Sequence, residues 1–148
     1  MIEELFMDIQ TLKQFYFDHL KEEGYSPVLH GDNCVRFKVE GNNHIISIDS
    51  DDLHFFSLAT MYGLYCTEKC DKATMYKIVS KANNRVKMAK SYIVEDDEDE
   101  ALIIIITTIE CLLNKWADYK VYLERWLQII AGCTKIIFKE IEKAELGM

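Results

Sequence analysis

The sequence has little glycine and almost no proline, and the glycines do not cluster. There are 6 Gly and 1 Pro in 148 residues, so the chain has no glycine-rich loop of the kind that cradles phosphates. It also lacks the G-x-S-x-G elbow of many hydrolases and the H-E-x-x-H motif of zinc proteases. These absences favour a protein that is not an enzyme and that needs no cofactor or metal.

Long apolar runs and an excess of basic residues are missing as well. The longest apolar run is far shorter than the roughly 20 residues that cross a bilayer, and Met1 opens an acidic, amphipathic segment rather than a signal peptide. The formal net charge of -8 repels phosphate backbones and anionic membranes. The five Cys are scattered and odd in number, which is typical of a reduced protein. We therefore expect a cytoplasmic protein that binds neither nucleic acid nor membranes.

Residues 2–25 are predicted to form an amphipathic helix. Its apolar side chains recur at three-and-four spacing, at Leu5, Ile9, Leu12, Tyr16 and Leu20. Phe6 and Phe15 lie beside this stripe. Gly24 is expected to end the helix, because glycine readily takes the left-handed conformation that closes helices.

Three antiparallel strands are predicted to follow. Residues 26–33 contain the proline and a Gly-Asp-Asn turn, which break regular structure. Residues 34–40 then alternate between apolar and polar side chains, as a half-buried strand does. Residues 44–49 and the aromatic-rich residues 53–63 are each preceded by a turn, so the three segments read as a meander.

A second helix and two further strands are predicted after the meander. The apolar period becomes helical near Thr67, with Thr67 or Asp71 as the N-cap and Asn83-Asn84 as the stop. Residues 86–94 look extended. The β-branched run in residues 101–106 favours a strand that is buried on both faces or nearly so.

The acidic run Glu95–Glu100 is either a metal-binding loop or the turn of a hairpin. It lacks the alternating acidic positions, the central Gly and the distant bidentate Glu of a calcium loop. We therefore interpret it as a solvated turn between two strands. The acidic segment Asp49–Asp52 is interpreted in the same way, with Asp side chains that bond their own backbone.

The cysteines and histidines do not form a recognisable site. Cys66 and Cys70 lie one helical turn apart, but they supply only half of a zinc site, and the two-residue spacer of the usual dithiol motif is absent. The four histidines are isolated from one another in sequence. His54 alternates with core-type residues, so we interpret it as a satisfied core or edge histidine.

A long last helix is predicted from about Glu110. Its apolar surface is wider than is needed to pack on one face of a sheet. Beside its main stripe lies a second line of apolar residues, here called the C-terminal strip: Tyr119, Tyr122, Trp126, Ile129, Cys133 and Ile136. A helix from Glu110 to Ala144 would be about 50 Å long, so it either breaks near Gly132 or packs on something else. The C-terminal strip is either buried within the domain or forms a protein interface, because Trp and Tyr are favoured interface anchors.

These elements predict a single domain over residues 1–148. The order is α-β-β-β-α-β-β-α, which is an α+β order with mostly antiparallel strand pairing. No internal repeat, low-complexity tract or linker divides the chain.

This pattern resembles the YbjN family and the related type III secretion chaperone-like domains. A helix ends at Gly24-Tyr25, Pro27 follows, and the strands VRFKVEG and HIISID lead through an acidic turn to FFSL at 55–58. The second half, NRVKMAKSYIVEDDEDEALIIIITTIECLL, reads as strand, acidic turn, strand and helix. The resemblance implies an α+β fold in which an antiparallel sheet has helices packed on one face. It also implies a small acidic protein that is often dimeric and that acts by binding other proteins.

Two functions are therefore expected. The first is a non-enzymatic protein-binding module, chaperone-like or regulatory, which forms a homodimer through the C-terminal strip and binds an unidentified protein client. The alternative is a sensory or regulatory domain that responds to a small ligand or a cation bound between sheet and helices.

Overall fold

The computed structural model describes residues 7–148, which form an α+β fold with an antiparallel sheet. The fold class predicted from the sequence is confirmed. The elements are α1 Ile9–Glu22, β1 Val28–His30, β2 Cys34–Val39, β3 Asn42–Asp49, β4 Asp52–Tyr65, α2 Lys72–Arg85, β5 Lys90–Glu95, β6 Leu102–Leu112, a 3-10 turn Trp116–Asp118 and α3 Tyr119–Glu145.

The six strands form one sheet in the order β1-β2-β3-β4-β6-β5. Backbone bonds at both ends of β4 show its antiparallel pairing with β6, since Cys66 N donates to Ala101 O at 2.7 Å and Leu113 N donates to His54 O at 2.8 Å. The register of β5 on β6 places Tyr92 opposite Ile106. β5 is therefore one edge of the sheet and β1 is the other.

The chain groups into two compact units, which are described separately. Unit 1 contains the described residues up to Thr60 together with residues 110–125, and unit 2 contains residues 61–109 and 126–148. The prediction of a single domain stays a prediction.

In unit 1, α1 covers one face of the first strands. Asp8 caps the helix, because its Oδ1 accepts from Thr11 N at 2.7 Å, and Gly24 lies beyond the end of the helix with φ +84°. The predicted stripe is confirmed at Leu12, Tyr16 and Leu20, which are buried. Leu5 and Phe6 lie outside the described residues.

In unit 2, α2 lies next to β5. Of the two predicted N-caps, Asp71 is the one that caps the helix, because its Oδ1 accepts from Thr74 N at 2.9 Å. Met75, Ile78, Val79 and Ala82 form the buried face. This stripe follows the period of 3.6 residues per turn and keeps the charged positions in water.

Several boundaries differ from the sequence prediction; β5, for example, begins at Lys90 rather than at Val86. The segment Val28–His30, predicted to be irregular, forms the short edge strand β1 because it pairs with β2. The last helix begins at Tyr119 rather than near Glu110, since β6 continues to Leu112 and a 3-10 turn follows. The apolar spacing from Ile109 to Trp116 imitates a helix. Ile109, Leu113 and Trp116 are nevertheless buried from a strand and a turn, whereas Leu112 is exposed.

Of the two alternatives for the last helix, the break near Gly132 is absent, because α3 is continuous from Tyr119 to Glu145. A glycine inside a helix costs only about 1 kcal/mol relative to alanine. Burial of the neighbouring Ile130 and Cys133 offsets this cost.

Candidate protein-interaction surface

The interior of unit 1 contains a buried tyrosine and histidine pair. The Tyr119 hydroxyl is hydrogen-bonded to His19 Nδ1, and the Tyr119 ring meets the Tyr16 ring edge-on with centroids 4.8 Å apart. Burial lowers the pKa of His19, with a smaller contribution from Lys120, while Glu23 acts in the opposite direction. Burial also raises the pKa of Tyr119. Both groups are therefore held neutral, and the pair joins α1 to the start of α3.

A second pair in unit 1 ties the end of β6 to the start of β4. The rings of His54 and Trp116 are stacked with centroids 4.6 Å apart. Trp116 Nε1 donates to Leu53 O at 2.7 Å, and His54 Nδ1 lies 2.8 Å from Leu113 O. A carbonyl can only accept, so His54 carries its proton on Nδ1. The prediction that His54 is a satisfied histidine is confirmed.

The interior of unit 2 contains a polar layer that joins four elements. Ser91 Oγ on β5 lies 2.7 Å from Thr107 Oγ1 on β6 and 3.3 Å from Cys133 Sγ on α3. Asn83 on α2 bonds both the amide and the carbonyl of Ser91. Because a slip of one residue would turn these groups out of the interior, the layer fixes the register of β5 on β6.

The two cysteines that were considered for redox or metal chemistry are free thiols. Cys70 is buried and its Sγ lies 3.6 Å from Met75 Sδ, while Cys66 is half-buried. Burial raises the pKa of both thiols. A raised pKa suppresses the thiolate, which is the reactive form and the metal ligand.

Both acidic runs form turns that cap their own backbone, as predicted. Asp96 Oδ1 accepts from Glu98 N at 2.8 Å and from Asp99 N at 2.9 Å, so the run connects β5 to β6 as a hairpin. In the other run, Asp49 Oδ1 accepts from Asp51 N at 2.8 Å. Local hydrogen bonds thus account for the acidic side chains at these turns.

No cluster of metal-binding side chains is found within residues 7–148. No group of three or more His, Cys, Asp or Glu converges there. In the same residues, every fully buried side-chain nitrogen or oxygen has a hydrogen-bond partner. The interior polar groups therefore serve packing and register, and the candidate site must be sought on the surface.

The C-terminal strip does not form one exposed surface. Tyr119, Trp126 and Cys133 are buried, which corrects their assignment to an outer strip. They share the helical face of Leu123, Ile130 and Ile137, because their spacings of three and four residues continue that stripe. Ile129 and Ile136 are half-buried, and Tyr122 is 48% exposed.

An exposed apolar surface of unit 2 lies on its strands. Tyr62 contacts Thr134 and Phe138 of α3, so the alternate residues of β4 point away from that helix. The same alternation applies along β5 and β6. This surface, here called the open face, consists of Met61, Tyr65, Tyr92, Val94, Ile104 and Ile106.

Exposure values confirm that the open face is accessible in the described structure. Met61 is 50% exposed, Tyr65 65%, Tyr92 42% and Val94 41%. Ile104 and Ile106 are half-buried, whereas Ile103 and Ile105 on the other side of β6 are almost fully buried. The burial predicted for both faces of residues 101–106 is therefore nearly complete on one face and partial on the other. The unbroken isoleucine run is the sequence signal for the open face, because a strand with one solvent-exposed face normally alternates between apolar and polar residues.

A lysine borders the open face. Lys90 precedes Tyr92 by two residues on the same side of β5, and its Nζ lies 5.9 Å from the centre of the Tyr92 ring. The face is thus an apolar surface with a positive group at one margin.

The strand order and the helices place this protein in the class of small α+β proteins. Among solved structures, the fold is similar to that of YbjN from E. coli, described as "a putative transcription regulator", with a TM-score of 0.66 and 9% sequence identity over 88% of this chain and 92% of that chain. It is also similar to an uncharacterized protein from Methanothermobacter thermautotrophicus, with a TM-score of 0.51 and 10% identity over 90% of this chain and 96% of that one. The chain therefore has a YbjN-like fold.

The comparisons based on sequence give no match. No protein-family model and no curated protein matches this chain. In addition, none of the helices within residues 7–148 has the length and hydropathy needed to cross a membrane.

Proposed function

We propose that the protein is a non-enzymatic protein-binding module, chaperone-like or regulatory, and that its client binds to the open face of unit 2. The observation that carries the proposal is the isoleucine run of β6, which is apolar on both faces but almost fully buried on only one of them, beside the exposed Met61, Tyr65, Tyr92 and Val94. A contiguous exposed apolar surface of this kind marks interaction sites in soluble proteins.

The composition of the open face suits a protein ligand. It contains two tyrosines, which supply large contact areas at a low cost in side-chain entropy, and a methionine, which adapts to different partners. The exposed parts of these side chains amount to an area on the order of a few hundred Å². This is below the roughly 800 Å² per partner of a standard stable interface, which favours a client that binds and leaves.

The description of YbjN as a regulator supports a regulatory use of such binding. The alternative, a domain that responds to a ligand or a cation, is not favoured by any particular observation. The acidic runs that motivated it cap their own turns.

Self-association is the second part of the proposal. The homodimer was predicted through the C-terminal strip, and the member of that strip with the greatest exposure is Tyr122. Tyr92 on the open face and Tyr122 on α3 have similar exposures, 42% and 48%. Substituting one or the other therefore tests the open face and the C-terminal strip separately, at positions of similar exposure.

The experiment uses the full chain with Tyr92→Glu or Tyr122→Glu. Each variant is checked for folding by circular dichroism, immobilised, and exposed to lysate of the native host. Proteins retained by the wild type are quantified for both variants, and sedimentation of the free variants reports self-association. We expect Tyr92→Glu to reduce client capture at least about tenfold, as for the loss of a central interface tyrosine, and Tyr122→Glu to weaken the dimer alone.

A folded Tyr92→Glu protein that retains the same clients at the same level would refute the role of the open face. A wild type that sediments as a monomer at tens of micromolar, about the range in which a weak dimer still assembles, would refute self-association.

A further inference from the structure

One side chain of α2 occupies part of the outer edge of β5, where the sheet ends. Ser91 N donates to Asn83 Oδ1 at 2.7 Å, and Asn83 Nδ2 donates to Ser91 O at 2.9 Å. The Asn83 amide thus makes the two bonds that a neighbouring antiparallel strand would make to Ser91. Since the ladder alternates along a strand, the backbone groups of Ile93 and Glu95 also point away from β6.

The rest of α2 follows the same edge. At the other end of β5, Lys72 Nζ lies 2.9 Å from Glu95 Oε1, and the Tyr76 hydroxyl donates to Glu95 Oε2 at 3.0 Å. Lys72, Tyr76 and Asn83 are spaced by four and seven residues, so they lie on one side of α2. Within residues 7–148, no hydrogen bond reaches the outward backbone groups of Ile93. The edge is therefore closed at Ser91 and open at Ile93.

An unpaired edge is a template for a strand of another chain, and β5 is complementary to itself. Antiparallel pairing of two β5 strands about an axis at Ile93 would place Tyr92 opposite the second copy's Val94 and Lys90 opposite the second copy's Asp96. An apolar pair and a pair of opposite charges both favour this register. The same register requires the backbone of Ser91 to bond with the second copy's Glu95, and Asn83 already holds those two groups.

We propose that the side chain of Asn83 closes the β5 edge and thereby keeps the β5 strands of two copies from pairing. Asn83 can do this because an amide side chain offers one donor and one acceptor in the geometry of a peptide group. A hydrophobic residue at this position would leave both Ser91 groups available to another strand.

The test replaces Asn83 by Ala in the full chain, with Asn84→Ala as the matched control. Asn84 is the next residue of α2, has the same chemistry, and is exposed. We expect Asn83→Ala to sediment with roughly twice the mass of the wild type at equal concentration, and Asn84→Ala to sediment like the wild type. Adding Ile93→Pro to Asn83→Ala should restore the wild-type mass, because proline removes an outward amide that a second strand needs but β6 does not use.

Amide hydrogen exchange of the wild type provides a second measurement that does not depend on a variant folding. The Ser91 amide should exchange at least about fivefold more slowly than the Ile93 amide, the factor that corresponds to one ordinary hydrogen bond. Equal exchange at the two amides would overturn the proposal, even if Asn83→Ala fails to fold. A folded Asn83→Ala protein with unchanged mass, or an enlarged mass that survives Ile93→Pro, would overturn it as well.

Discussion

Replacing Tyr119 by Phe removes one hydroxyl from the interior of unit 1 and leaves the aromatic ring in place. The ring is fully buried and packs edge-on against Tyr16 and Phe15, at centroid distances of 4.8 and 5.7 Å. These contacts do not involve the hydroxyl. The substitution therefore isolates the hydrogen bond to His19 Nδ1.

The expected loss of stability is about 1–3 kcal/mol, because a buried ring nitrogen of His19 is left without its partner. Tyr16→Phe is the matched control. Tyr16 is equally deep in unit 1 and its ring packs against that of Tyr119, but its hydroxyl is not the partner of His19 Nδ1. Removing that hydroxyl should lower the free energy of unfolding by less than Tyr119→Phe does, because His19 Nδ1 keeps its partner.

Urea unfolding followed by circular dichroism measures both variants, and equal slopes make the midpoints comparable. A double variant, His19→Phe with Tyr119→Phe, should recover part of the loss, because replacing both partners by apolar groups removes the unsatisfied atom. Equal losses in Tyr119→Phe and Tyr16→Phe would refute the reasoning, since the hydrogen bond would then contribute nothing beyond packing.

Three further predictions concern pH and the interior of unit 2. Burial lowers the pKa of His19 and His44 below the ordinary value of 6.5, so the unfolded chain binds protons more readily than the folded protein does. We therefore expect the urea midpoint to fall as the pH drops from about 6.5, and a midpoint independent of pH between 7.5 and 5 would contradict this. Ile130→Ala should cost about 2–5 kcal/mol, because Ile130 is fully buried, whereas the half-buried neighbour Ile129→Ala should cost clearly less in the same titration. Thr107→Val should cost about 1–2 kcal/mol, because the shape is kept while a buried hydrogen bond of 2.7 Å is lost; a thermal melt that matches the wild type would argue against the polar layer.

The sequence by itself determined the elements whose signals are local. The stripe of Leu12, Tyr16 and Leu20 predicts α1, because apolar residues at three-and-four spacing lie on one side of a helix, which then packs on the core. The sequence limits the start of α2 to Thr67 or Asp71, since a side-chain oxygen at an N-cap binds an amide two or three residues away, and the structure selects Asp71. The acidic turn between β5 and β6 is equally local, because Asp96 bonds amides within three residues.

Where the spacing of apolar residues fits two arrangements, only the tertiary structure decided between them. The spacing from Ile109 to Trp116 fits a helix, but pairing with β4 extends β6 to Leu112. The three residues of β1 have no strand signal of their own and exist through their partner β2. Likewise, Trp126 and Cys133 fit both an outer strip and the core stripe, and burial in unit 2 assigns them to the core.

The candidate surface and the closed edge also depend on tertiary structure. The isoleucine run of β6 predicts apolar side chains on both faces, yet only the packed fold shows that Ile104 and Ile106 are half-buried while Ile103 and Ile105 are almost fully buried. Asn83 is a plausible helix stop in the sequence, whereas in the fold its amide binds Ser91, eight residues further along the chain. Local sequence patterns limit the structural roles that a residue can have. Contacts between distant segments select among these roles, because burial and edge hydrogen bonds form only when those segments pack together.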